Sequence, residues 1–444
     1  MLVSSEIFSS AKNHWLPVRS WSFLAILTLA LSGLAPMVLI AGRASIYADM
    51  AMVKKWFTPM LVVHVNLSVG LWFLAMTMVL MMALSGIKRE WRMIHQAASI
   101  SFLLGILAIA CGPLAGGEAF TSNYIPVQNN ALFFMGLGAI FASLLLMVVS
   151  SFFLSAGRGR LEVPMQLTML TLCSVLACFI FSVAQHPKGY GGEAFYEMIF
   201  WGGGHVLQIV FVQLGMIAWI LLADTLQIPQ PSLRFIKGLF AFLWLNSVAA
   251  MGVYWLVDIN DGLHLKLFTW QMIAVVGTVP AFLALWYLYH IKHMQWREHK
   301  PVAGCFVFSL TLFFVGGVIA MLIQGSNTII PAHYHGSTVG ITLALMGVMF
   351  VILPKIGGKE VTLWKTAIAQ PWLYGMGQVF HVIGLAVAGG HDIQRKTAGS
   401  LDVADQAAAA ALQVMRLGGL LAVIGGGLFV VVAIRSLWRS KLSH

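Results

Sequence analysis

Charge is what this chain has least of. Only 9% of its 444 residues are Asp, Glu, Lys or Arg, while 59% are hydrophobic. That balance excludes an ordinary soluble globular protein. Cysteine is also scarce. Cys111, Cys173, Cys178 and Cys305 all fall in apolar runs, in no metal-ligand spacing, and no CxxCH occurs. They read as core residues. Acidic residues number 15 against 26 Lys and Arg, a net charge of +11. The excess sits mostly in loops, so it reads as membrane topology and lipid contact rather than nucleic-acid binding. A small-residue cleavage site is missing too. The first apolar run begins near Trp21 and is followed by Arg43, so no cleavable signal peptide is expected. No internal repeat and no low-complexity linker stands out.

What the chain does have is length in its apolar runs. Stretches of about 20 residues, enough to cross a bilayer, recur from end to end. The expectation is an all-α, polytopic, twelve-span bundle forming a single membrane domain over 1–444. The spans are placed at 21–42, 57–85, 95–115, 131–155, 164–185, 195–223, 236–257, 267–290, 303–324, 333–354, 370–390 and 408–435. Loop charge alternates. The even-numbered connections and both ends are rich in Lys and Arg, such as Arg19, Lys88, Arg89, Arg158, Arg160, Lys355, Lys359 and Arg435. By the positive-inside rule both termini are cytoplasmic. The outer loops are rich in Gly, Asn, Pro and aromatics, as in GGEAFTSNYIPVQNN.

Histidines then fall into a pattern. His333 and His335 open the run PAHYHGSTVGITLALMGVMFVILP, Pro331–Pro354. Two residues apart is about 200° of helical rotation, so the two imidazoles point to nearly opposite sides of one helix. His64, His205 and His264 lie at a similar outer level in spans two and six and at the mouth of span eight. Buried ionisable groups in spans mark function by default. Neutral imidazole suits iron and copper, and facing histidines between helices are how bundles hold haem.

These segments resemble the haem-copper oxidoreductase superfamily, the catalytic subunit I of cytochrome oxidases and nitric oxide reductases. AFYEMIFWGGGHV is similar to the family's FW..GH segment, implying that His205 is its first copper-site ligand. AHYHGSTVGITLALMGVMFVILPK is similar to its AHFHYV helix, implying His333 for the active-site haem and His335 for the low-spin haem. LVVHVNLSVGLWF matches the span-two ligand and implies His64 as the other axial ligand of the low-spin haem. QPWLYGMGQVFHVIGLAVAGGHDIQRK resembles span eleven. It implies Arg395 and Lys396 at the haem propionates, with His381 nearby or simply a hydrogen-bonded buried histidine.

Two departures bear on chemistry. The family's adjacent histidines in span seven are missing from AAMGVYWLVDINDGLHLKLFTW. Alignment from the start of that span brings His264 to their place; alignment back from LFTW brings Ala250 and Met251. His264 joins His205 as a candidate metal ligand, and Asp258 and Asp261 offer oxygen ligands or loop caps. The tyrosine expected four residues after His205 is Ile209, with Gln208 one turn away to hydrogen-bond a ligand and Tyr254 as a substitute donor. Gly202–Gly204 admit either a haem face or tight helix packing.

The resemblance implies a respiratory-chain haem oxidoreductase, multi-pass in a bacterial inner membrane, with two haems and a copper or non-haem iron ion. NO reduction to N2O is favoured slightly over O2 reduction, because two electrons suffice for it. The alternative is a non-catalytic haem-binding subunit, for electron transfer or sensing, that has lost the second metal. Its electron donor would be an outer-side subunit carrying copper or haem c, or a quinol.

Overall fold

The computed structural model describes residues 15–42, 47, 50–84, 91–152, 160–357, 361, 363–396 and 405–439. Among them twelve helices are long and apolar enough to cross a membrane. They are α1 (Trp15–Ala41), α2 (Ala51–Leu84), α3 (Arg92–Ala115), α4 (Ala131–Ser151), α5 (Glu162–Gln185), α6 (Gly192–Thr225), α7 (Leu233–Leu256), α8 (Gly262–His293), α9 (Lys300–Ala320), α10 (Ile329–Ile356), α11 (Trp364–Gly390) and α12 (Gln406–Trp438). Each expected span has its helix. α1, α2 and α11 each begin six residues before the expected span, because polar and aromatic end residues such as Trp364 continue the hydrogen-bond ladder past the greasy part. Arg43, Lys88, Arg89, Arg158, Lys359 and both ends of the chain lie outside the described residues.

Several helices are not regular. α1 breaks after Ser32 and resumes at Ala35, with Pro36 in its new first turn. A proline has no N–H to give to the carbonyl four residues back. The Ser32 carbonyl therefore loses its ladder partner. α2 carries a π-helical turn, Asn66–Leu71, directly after His64 and Val65, and α8 carries another at Met272–Val276. Such turns recur at functional sites. Between α3 and α4 a two-stranded ribbon, β1 (Ala119–Phe120) and β2 (Val127–Gln128), pairs antiparallel.

The chain forms two compact units. One comprises the start of α1 up to Thr28, Val65–Ile217 and Gln230–Trp286; the other comprises Leu29–His64, Ala218–Pro229 and the chain from Tyr287 onward. In the first, α3 packs on α4, α5 on α7, and α7 on α8. In the second, α9, α10, α11 and α12 pack successively. Glycines set the closeness there. Gly316 of α9 and Gly336 of α10 meet backbone to backbone, as do Gly377 of α11 and Gly418 of α12. Small residues at such seams are what lets membrane helices gain dispersion energy without a hydrophobic drive. α2, α6 and α10 have little exposed surface along their apolar windows, and these are the helices that carry His64, His205, His333 and His335.

The α11–α12 connection offers a pH test. Asp405 caps α12: its Oδ1 accepts from Ala407 N at 2.8 Å, and its other oxygen pairs with His391 Nδ1. The Ala407 N–H bond, then that of Ala408 and the nearby His391, hold this exposed carboxyl below its ordinary value. A depressed carboxylate pKa stabilises above the unfolded value, about 3.9, and the benefit is lost as pH falls through the folded one. Amide exchange in the first turn of α12, corrected for intrinsic rates, should therefore quicken as pH drops below about 4. Asp405→Asn, which still caps, should remove that dependence.

Candidate functional site

In the second unit the two histidines of α10 separate as the sequence spacing predicts. His333 turns to α9, where its Nδ1 donates to the Gly316 carbonyl at 2.9 Å. His335 turns to α11, where its Nδ1 donates to Gln378 Oε1 at 3.3 Å. His335 also packs edge-on against His381, ring centroids 4.6 Å apart. His381 Nδ1 donates to the Met415 carbonyl of α12 at 2.9 Å. His64 Nδ1 donates to Ser32 O at 3.1 Å, the carbonyl that Pro36 leaves without its helical partner.

A carbonyl oxygen only accepts, so each of these imidazoles carries its proton on Nδ1 in the neutral form. That puts the metal-binding lone pair on Nε2. Anchoring the distal N–H to an oxygen is the usual support of a metal-bound histidine. The donor set in this unit therefore fits haem iron.

Arg395 and Lys396 come to the start of the same helix. Asn327 bridges Gln394, Thr328 N donates to Ile393 O at 2.9 Å, and Arg395 Nε donates to Ser326 Oγ at 3.1 Å. Arg395 is thereby pinned just before the first turn of α10, with Lys396 next to it in sequence. Lys396 holds a left-handed backbone, φ +61°.

In the first unit His205 is nearly buried, 2% exposed. Its Nδ1 donates to Trp201 O, one turn back, at 2.7 Å. Its Nε2 lies 2.9 Å from the Tyr124 hydroxyl. With the proton on Nδ1, Nε2 is the acceptor and the phenol donates. Tyr124, from the α3–α4 connection, is a site residue that sequence reasoning missed. The three glycines before His205 each receive an aromatic group: Gly202 the Tyr254 hydroxyl, Gly203 the Phe179 ring and Gly204 the Tyr124 ring. Tight packing, rather than a haem face, is what they admit.

Gln208 stands one turn on, its Oε1 buried without a hydrogen bond. Tyr254 sits not on His205 but on His264, ring centroids 4.9 Å apart, and its hydroxyl bonds Ser182 Oγ at 2.8 Å. His264 lies in the first turn of α8 rather than in a loop, and is fully buried. The Phe268 ring packs against both His205 and His264. Asp261 is occupied as the N-cap of α8, accepting from Leu263 N at 2.8 Å. Asp258 folds onto Asn260, whose N–H groups hold its carboxyl below the ordinary range. Among the described residues no three His, Cys, Asp or Glu side chains gather as a metal-holding group. The first unit therefore does not fit a tightly held second ion.

No protein-family model matches the chain. It is 26% identical to an uncharacterized protein of Rickettsia prowazekii (strain Madrid E), over 95% of this chain and 96% of that one. It is 25% identical to an uncharacterized protein of Aquifex aeolicus (strain VF5), over 77% of this chain and 85% of that one. Among solved structures it is similar to the subunit of a haem-copper terminal oxidase dimer determined by cryo-EM. The TM-score is 0.72 at 15% identity, covering 96% of this chain and 84% of the other. The chain has the fold of a haem-copper terminal oxidase. That fold is the twelve-helix membrane bundle expected from the apolar runs, and it makes the chain a multi-pass membrane protein.

Proposed function

We propose that this chain is a respiratory membrane haem oxidoreductase that reduces a diatomic gas, NO to N2O in the first place and O2 in the second. The observation that carries the reading is the set of imidazoles in the second unit. His64, His333 and His335 each commit Nδ1 to an oxygen acceptor and so present Nε2 to iron. Bound there, haem would supply one-electron transfer and, on His333, an open coordination position for a gas. His64 and His335 would hold the low-spin haem. His381 and Gln378 fix the ring of His335, and Arg395 and Lys396 offer cations to propionates. In the first unit His205, Gln208 and Tyr254 supply hydrogen-bonding groups.

NO is preferred because Ile209 stands where a phenol would donate an electron and a proton to oxygen cleavage. Reducing two NO to N2O and water takes two electrons and two protons. Electrons would arrive from an outer-side subunit carrying copper or haem c, or from a quinol.

A second reading is favoured by the first unit. His205 is hydrogen-bonded at both nitrogens, and among the described residues no third His, Cys, Asp or Glu joins a metal-holding group with it and His264. A copper or non-haem iron ion on His205 and His264 would be weakly held, which suits a haem-binding electron-transfer or sensing subunit without gas reduction.

Haem and metal stoichiometry on the purified protein tests both, with reduced-minus-oxidised and CO-bound spectra. Two haems, one binding CO, with NO or O2 turnover, is the expected result. Two haems without turnover would leave the second reading. Absence of haem would end both.

A further inference from the structure

The α3–α4 connection is tied down from several sides. Glu197 of α6 accepts from both Asn123 N, at 2.8 Å, and Asn123 Nδ2. Glu193, a turn earlier, accepts from Thr121 Oγ1 at 3.1 Å. Asn66, in the π-helical turn of α2, donates to Pro126 O at 2.7 Å. Within the loop Ser122 Oγ donates to Ile125 O at 2.6 Å, and Gln128 Nε2 donates to Gly116 O and Gly117 O. The residue these bonds surround is Tyr124. Its ring lies where a side chain at Gly204 would stand, packs at right angles to Trp201, and carries its hydroxyl to His205.

We propose that Tyr124 is the positioning residue of His205, and that its phenol holds Nε2 so that this imidazole is a fixed neutral hydrogen-bond partner and not a ligand of a non-haem metal. The chemistry runs from three facts. Nδ1 is committed to Trp201 O within the same helix, so the lone pair sits only on Nε2. That lone pair already accepts the Tyr124 proton. The donor cannot drift away, because Asn123 beside it is gripped twice by one carboxylate. A metal on His205 would have to expel the hydroxyl from Nε2, and the half-buried phenol would lose the acceptor it has there. Gly204 is part of the device, since any side chain there would push the ring out. The inference rests on the proposed function only in taking His205 as a site residue.

The test uses the full chain in lipid nanodiscs with histidine rings labelled with 15N. His205→Asn identifies the His205 signals by difference. The expected wild-type pattern is a protonated Nδ1 and a hydrogen-bonded Nε2. Tyr124→Phe should move the Nε2 signal toward that of an unbonded imidazole nitrogen. Gly204→Ala, which displaces the ring without touching the hydroxyl, should move it in the same direction. Elemental analysis of the same samples should show no non-haem metal equal in amount to the chain, and none lost in His205→Asn. A stoichiometric ion that His205→Asn removes, or a His205 signal that neither variant moves, would overturn the proposal. Haem spectra of these samples report separately on the proposed function, and a chain without haem would still give the nitrogen signals.

Discussion

His335→Ala should lose the low-spin haem signature while keeping the CO-reactive one, and His333→Ala should do the reverse. Haem per chain is expected to fall by about half in each. The two residues are neighbours in sequence, so a general disturbance of α10 would affect both alike. Their side chains have nothing in common, however. One is tied to Gly316 on α9 and the other to Gln378 and His381 on α11. An alanine in either place leaves the other anchor intact. Optical and EPR spectra of the two variants check this, with His64→Ala expected to copy His335→Ala. Identical spectra from His333→Ala and His335→Ala would sink the assignment.

Gly336→Val should destabilise the bundle strongly and dislodge His333. A Cβ at this position would overlap Gly316 Cα and approach Gly316 N to 2.7 Å and Leu312 O to 3.1 Å. These are backbone atoms with no rotamer to escape into, so α9 itself must move. Overpacking typically costs about 1–3 kcal/mol, and this rigid contact belongs at the upper end, about a hundredfold in the folding equilibrium. Because His333 hangs on the Gly316 carbonyl, the same shift removes its anchor. Thermal unfolding in detergent should show a lowered midpoint together with loss of the CO-binding spectrum. Gly317→Val is the control, since nothing lies within 4 Å of a Cβ there. Equal behaviour of the two variants would show that the seam is not what holds these helices.

The spans were legible because membrane helices must be apolar for about 20 residues, a constraint that shows in one dimension. The opposed directions of His333 and His335 were legible for a similar reason: helical rotation depends on spacing alone. What escaped was everything that needs two distant segments. Tyr124 is 81 residues from His205, on a loop with no periodicity to place it. Gln378 is 43 residues from His335. The sequence held the glycines of GGGHV but not the aromatic partners that fill them. His264 read as a residue at a helix mouth, whereas Asp261 caps α8 early enough to draw it into the first turn and under Tyr254 and Phe268.

The break in α1 has a consequence for how this protein tolerates change. Pro36 has no N–H to offer the Ser32 carbonyl, and so it decides which oxygen is available to His64. In a Pro36→Ala chain the returning amide would compete for that oxygen, and the imidazole would share a bifurcated acceptor. The ring's other nitrogen would then become less basic, and so a weaker donor to any metal it held. A residue that looks like a mere helix breaker thus works as a tuning screw, acting through an oxygen atom at a distance of four residues along the chain.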